Sequence, residues 1–150
     1  MFPRITAPLL AAASVVFFAC GPRTPSPVAT ARPRAAAGRG VVSQVVVDTT
    51  RGAVRFAIAL TNDSPKRLEV DFPTGLTHDF AVLDSTGKEV WRWSEGRMFT
   101  QGMQNRLLDA NDLVTYAERW SQPAPGRYTL VAQLNSANYP VRRQVPFTLP

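Results

Sequence analysis

Few side chains in this 150-residue sequence have the chemistry for catalysis or metal binding. The one histidine, His78, precedes Asp79, but neighbouring residues of a strand point to opposite faces and do not make a triad by themselves. Asp71, Asp79 and Asp84 carry oxygen ligands of the kind that calcium takes, although scattered acids in loops are usually only solvated. No glycine-rich phosphate loop and no zinc-ligand spacing is present. The sequence therefore predicts a protein that is not an enzyme and that needs no metal and no cofactor.

The single cysteine, Cys20, directly follows an apolar N-terminal segment. Residues 5–19 are almost entirely apolar, and Arg4 is the only charge before them. This run is shorter than the roughly 20 residues of a membrane-spanning helix, which indicates a signal peptide over residues 1–19. Phe17-Phe18-Ala19-Cys20 resembles a bacterial lipobox, in which the cysteine is lipidated and becomes the mature N-terminus. We expect cleavage before Cys20 and a lipoprotein anchored to a membrane of the bacterial cell envelope. An incidental cysteine in an ordinary signal peptide is the alternative.

Residues 20–40 are rich in proline, alanine and arginine and show no apolar periodicity. Such a segment cannot bury a core, so we expect a disordered tether. The tether also explains the charge, because the chain has 17 basic and 11 acidic residues, whereas residues 41–150 have 12 and 11. Its arginines suit either contact with anionic lipid headgroups or a soluble spacer. The remaining sequence has no basic stripe, so no nucleic-acid partner is expected.

From residue 41 the apolar residues alternate with period two, which indicates strands. The alternation is clearest over residues 53–61, where one face holds Val54, Phe56, Ile58 and Leu60. Comparable segments recur to the end of the chain between Pro/Gly turns, and none has a convincing helical period. The sequence predicts one domain, residues 41–150, folded as an all-β, antiparallel, Ig-like β-sandwich of about seven to eight strands. We expect a monomer.

Residues 78–101, HDFAVLDSTGKEVWRWSEGRMFTQ, are the most distinctive part of this pattern. They read as a strand, a turn that contains Gly87, a second strand and a polar loop. Trp91 and Trp93 are two residues apart and therefore share the face of the second strand opposite Arg92. Because large aromatic side chains supply much of the core area of a small domain, we expect this face to pack inward.

This segment resembles the signature of the BsuPI family, the intracellular proteinase inhibitors. The family pattern is roughly an Asp-Phe strand, a glycine-containing turn, Val-Trp-Arg-Trp-Ser and Phe-x-Gln, all of which occur between residues 79 and 101. A looser resemblance extends over about residues 45–134. The resemblance implies a β-sandwich that presents a loop to a serine protease. Because export separates the chain from an intracellular target, a non-inhibitory, protein-binding module of the cell envelope is the alternative.

A substrate-like inhibitor holds an extended loop so rigidly that little ordering entropy is lost on binding. Residues 94–104 form the first candidate loop, with Arg97, Met98, Phe99 and Gln101 as its contact residues. Residues 73–77 form the alternative loop, with Thr74, Gly75 and Leu76. We expect Phe99 to close the end of the sandwich and Met98 to be the anchor, because methionine adapts to irregular pockets. An apolar anchor favours a subtilisin-like serine protease, whose specificity pocket is apolar.

Overall fold

A computed structural model describes residues 34–38, 40–50 and 53–150 of the chain. The predicted signal peptide, Cys20 and most of the predicted tether lie outside these residues. The described residues form ten strands: β1 Arg34–Gly38, β2 Val41–Thr50, β3 Ala53–Asn62, β4 Leu68–Phe72, β5 His78–Asp84, β6 Glu89–Arg92, β7 Gln104–Leu108, β8 Leu113–Ser121, β9 Gly126–Leu134 and β10 Val141–Leu149. No helix among them has the length and apolar character that crossing a membrane requires.

The strands form two four-stranded sheets and one two-stranded sheet, and every pairing is antiparallel. The first sheet has the order β1-β2-β3-β8, the second has the order β10-β9-β5-β6, and β4 pairs with β7. The predicted all-β, antiparallel sandwich is therefore confirmed. There are more strands than expected because β1 lies in the predicted tether and β7 in a stretch without a clear period.

The core lies between the two large sheets. The Phe56 ring of β3 is 5.9 Å from that of Phe80 in β5 and 5.8 Å from that of Phe147 in β10, so it joins the first sheet to the second. Trp91 lies 5.7 Å from Phe56, measured between ring centroids. Trp91 and Trp93 both pack against the core while staying partly exposed, which agrees with the expected inward face of this segment.

Strand β1 lies within the segment predicted to be a tether. Arg34–Gly38 pairs antiparallel with β2, with Arg34 opposite Gln44. Pairing at a sheet edge uses backbone N–H and C=O groups and needs no apolar alternation, so sequence periodicity does not reveal it. The structure therefore has a strand over these five residues of the predicted tether.

A buried asparagine stabilises the connection between β3 and β4. The Asn62 side chain is fully buried, and the two N–H groups of its amide are shared among the carbonyls of Lys66 at 2.7 Å, Leu108 at 3.0 Å and Asp109 at 2.9 Å. These bonds join the turn after β3 to the turn after β7. They hold the β4–β7 pair in place, and the loops that follow β4 and precede β7 are positioned with it.

Candidate functional site

The two loops that the sequence offered as alternatives lie against each other. The β4–β5 loop comprises residues 73–77, and the β6–β7 loop comprises residues 93–103. The backbone N–H of Gly75 donates to the carbonyl of Thr100 at 2.8 Å. The two sets of candidate residues therefore belong to one surface of the molecule.

Met98 and Phe99 are neighbours in the β6–β7 loop with opposite environments. The Met98 side chain is 98% exposed, the largest exposure of any large apolar residue in the described part of the chain. Phe99 is half-buried, and its ring centroid lies 5.5 Å from that of Trp93. Met103, at the end of the loop, is 79% exposed. The loop thus presents two apolar side chains to solvent while Phe99 packs inward.

Trp93 is the platform on which this loop rests. Its ring stacks on that of His78 with 4.4 Å between centroids. The Arg97 guanidinium lies 4.9 Å from the Trp93 ring centroid, and Arg97 Nε donates to the Trp93 carbonyl at 2.8 Å. The cation–π contact and the hydrogen bond together hold the Arg97 side chain against Trp93. Gln101 is exposed, and its amide donates to the Phe99 carbonyl at 3.3 Å.

A buried carboxylate fixes the point where the loop leaves the second sheet. Asp79 accepts hydrogen bonds from the N–H of Phe80 at 2.9 Å, the N–H of Ser94 at 3.2 Å and the Ser94 hydroxyl at 2.8 Å. Arg92 donates to Asp79 at 2.6 Å and to Glu89 at 2.6 Å. The carboxylates of Glu89 and Asp79 raise the pKa of Arg92 above its usual value. The Asp-Phe and Arg-Trp-Ser residues of the sequence signature are therefore one hydrogen-bonded network.

The role of Asp79 as the acceptor of this hydrogen-bonded network was not predicted from the sequence. The available signal was its position inside the apolar strand β5, because an acid in a buried strand needs a partner. Asp84 has a local role instead, since its carboxylate accepts from the Thr86 hydroxyl and N–H within the turn, and the hydroxyl lowers the pKa of Asp84. Among the described residues, no cluster of three or more His, Cys, Asp or Glu side chains could hold a metal ion.

His78 is buried behind the loop platform rather than presented for catalysis. Its Nε2 lies 3.2 Å from Glu118 Oε1, and its Nδ1 lies 3.1 Å from the Thr77 hydroxyl. Burial lowers the pKa of His78, against the opposing effect of Glu118, so the imidazole is neutral at neutral pH. A neutral ring donates from Nε2 to Glu118 and accepts from Thr77 at Nδ1. The hydrogen bond with His78 also explains why Glu118, an acidic residue, lies on the otherwise apolar face of β8.

We expect Asp79→Ala to lower the free energy of unfolding by about 1–3 kcal/mol, because the N–H groups of Phe80 and Ser94 would lose their acceptor in a buried site. Urea unfolding of the purified protein measures this change. Asp109→Ala is the matched control, since it removes a carboxylate that pairs with Arg67 at the exposed surface and should cost much less. Equal losses in the two variants would contradict the structural role of Asp79.

The chain matches a known protein family. A family model described as BsuPI, intracellular proteinase inhibitor, matches residues 41–139. The matched range contains both candidate loops and the Asp79 network. None of the curated proteins matches the chain.

Three similar solved structures have low sequence identity. A β-glucosidase from Erythrobacter marinus is 14% identical, with a TM-score of 0.36, over 81% of this chain and 16% of its own chain. A DUF1425 family member from Shewanella sp. pv-4 is 14% identical, with a TM-score of 0.33, over 79% of this chain and 95% of its own. The GAE domain of GGA2p from Saccharomyces cerevisiae is 12% identical, with a TM-score of 0.29, over 80% and 97%. With TM-scores below 0.5, these similarities carry no argument about function.

Proposed function

The chain belongs to the BsuPI family of intracellular proteinase inhibitors, and from this premise we propose that it inhibits a serine protease through the β6–β7 loop. The proposal depends on the exposure of Met98, which is 98% accessible on a loop that Trp93, Ser94 and Thr100 tie to the rest of the sandwich. An inhibitor needs this combination, because the anchor must be free to enter the protease while the backbone around it stays ordered.

The contacts on both sides of Met98 support a rigid loop. Before Met98, Ser94 is bonded to the buried Asp79, and Arg97 is held over Trp93. After Met98, the Thr100 carbonyl accepts the N–H of Gly75. Because these bonds already exist in the free protein, the loop loses little conformational entropy when a protease closes around it.

The choice of anchor favours a protease with an apolar specificity pocket. Arg97 is the basic neighbour that an acidic, trypsin-like pocket would select, but its guanidinium is engaged with Trp93. Met98 has no such engagement and is flexible enough to fill an irregular apolar pocket. We therefore assign the target to the subtilisin-like class of serine proteases. In the β4–β5 loop, Thr74, Gly75 and Leu76 are all half-buried, so they serve better as support than as anchor.

Inhibition assays with the purified chain test this function. The panel should contain subtilisin-like, chymotrypsin-like and trypsin-like serine proteases, each titrated with the protein at a fixed substrate concentration. We expect one-to-one competitive inhibition of at least one subtilisin-like protease and none of the trypsin-like class. Absence of inhibition across the panel would leave a non-inhibitory, protein-binding module of the cell envelope as the function.

We also propose that the chain is an exported lipoprotein, so that its target is a protease of the cell envelope. The support is the apolar segment that ends in Ala19-Cys20-Gly21 and the lack of any other cysteine. Thirteen residues separate Cys20 from Arg34, the first residue of β1. Fully extended, they would span at most about 45 Å. Mass spectrometry of the mature N-terminus decides this proposal, because an unmodified Cys20 or cleavage elsewhere would contradict it.

A further inference from the structure

Gly75 and Thr100 approach each other more closely than two side chains would allow. A Cβ atom at position 75 would lie 2.5 Å from Thr100 Oγ1 and 3.1 Å from the Thr100 backbone nitrogen. The glycines with positive φ among the described residues are Gly40, Gly87, Gly96 and Gly126, and Gly75 is not one of them. Backbone conformation therefore does not require glycine at position 75, whereas the contact with Thr100 does.

The β4–β5 loop that carries Gly75 is itself tied to the sandwich. Asn135 lies directly after β9, and its backbone N–H donates to the Thr77 carbonyl at 2.9 Å. The Asn135 side-chain amide donates to the Leu76 carbonyl at 2.9 Å. Through these bonds, the end of β9 holds the β4–β5 loop, and Gly75 in turn holds Thr100, which lies two residues after Met98.

We propose that the β4–β5 loop is the support that keeps Met98 and its flanking backbone in the inhibitory conformation, with Gly75 as the positioning residue. This inference rests on the proposed function. A loop that is held in place resists cleavage because hydrolysis requires its backbone to move, and the support prevents this movement. A loop without the support would enter the same cleft as a substrate, and the protease would hydrolyse a peptide bond within it, with water adding across the broken bond.

The test compares Gly75→Ala with Gly102→Ala in the full chain. Gly102 is the matched control, because it lies beyond the proposed contact residues, which end at Gln101, with no atom within 4 Å of an added Cβ and without a positive φ. Inhibition constants and the rate at which the same protease cleaves each variant are measured together, with melting curves to establish folding. We expect Gly75→Ala to raise the inhibition constant by about tenfold or more and to speed cleavage of the loop, and Gly102→Ala to change neither beyond about twofold.

Rescue and a second variant complete the test. Adding Thr100→Ala to Gly75→Ala removes the Oγ1 atom nearest the new Cβ and should recover part of the inhibition. Asn135→Ala loosens the β4–β5 loop without adding atoms, so it should also raise the cleavage rate even if Gly75→Ala fails to fold. If the wild-type chain inhibits the protease but neither Gly75→Ala nor Asn135→Ala changes the inhibition constant or the cleavage rate, the support role of the β4–β5 loop is overturned. The proposed function would then still stand. A wild-type chain that inhibits no protease would overturn the proposed function, and this inference with it.

Discussion

Replacing Trp93 by alanine is expected to lower the free energy of unfolding by about 3 kcal/mol, near the lower end of the range for removing a large aromatic side chain from a core. Trp93 packs against the core cluster and stacks on His78 with 4.4 Å between ring centroids. Its removal would leave Phe99 and the Arg97 guanidinium without the ring that they contact. The lower end of the range applies because Trp93 is partly exposed.

Urea unfolding and inhibition assays on the same preparations measure the effect. Trp93→Phe is the control, because phenylalanine keeps a ring over His78 and should retain most of the stability. We expect inhibition to fall with stability in Trp93→Ala, since the platform of the loop is lost together with part of the core. A Trp93→Ala variant that is as stable as the wild type but has lost only partner binding would show that this face is a binding surface instead.

The strands that face the core were predictable because burial imposes a pattern on the sequence. Strand β3 shows this, since Val54, Phe56, Ile58 and Leu60 are all fully buried on the face that alternation assigned to the core. Strand β1 was not predictable, because an edge strand is held by backbone hydrogen bonds that any residue except proline can make. Strand β7 was unclear for a related reason, since four of its five residues are exposed.

The candidate site was predictable only in part. The polar composition around Met98 indicated a loop with an outward apolar residue, and the structure places Met98 in solvent. The contact between Gly75 and Thr100 was not predictable, because it joins two loops 25 residues apart in the chain and depends on how the sheets place them. The position of Asp79 inside an apolar strand indicated that it needs a partner. Only the β5–β6 pairing identifies that partner as Arg92.

Replacing Met98 by aspartate is expected to weaken inhibition by about 100-fold while leaving the melting temperature unchanged. The side chain is 98% exposed in the free protein, so the substitution removes almost no packing. In the complex, the same position would place a carboxylate in an apolar pocket, where burial of an unpaired charge is strongly unfavourable. A 100-fold loss corresponds to about 2.7 kcal/mol of binding free energy, which is modest beside the cost of burying such a charge fully.

Met103→Asp is the matched control for this experiment, because it makes the same chemical change on the same loop at a residue that is 79% exposed. We expect Met103→Asp to alter the inhibition constant much less than Met98→Asp, and Met98→Leu to retain most of the inhibition. Melting curves recorded with each inhibition constant separate a lost contact from a lost fold. Inhibition that survives Met98→Asp but not Met103→Asp would move the anchor to the end of the loop. Inhibition that survives both would move the contact to the β4–β5 loop around Leu76 or to a sheet edge.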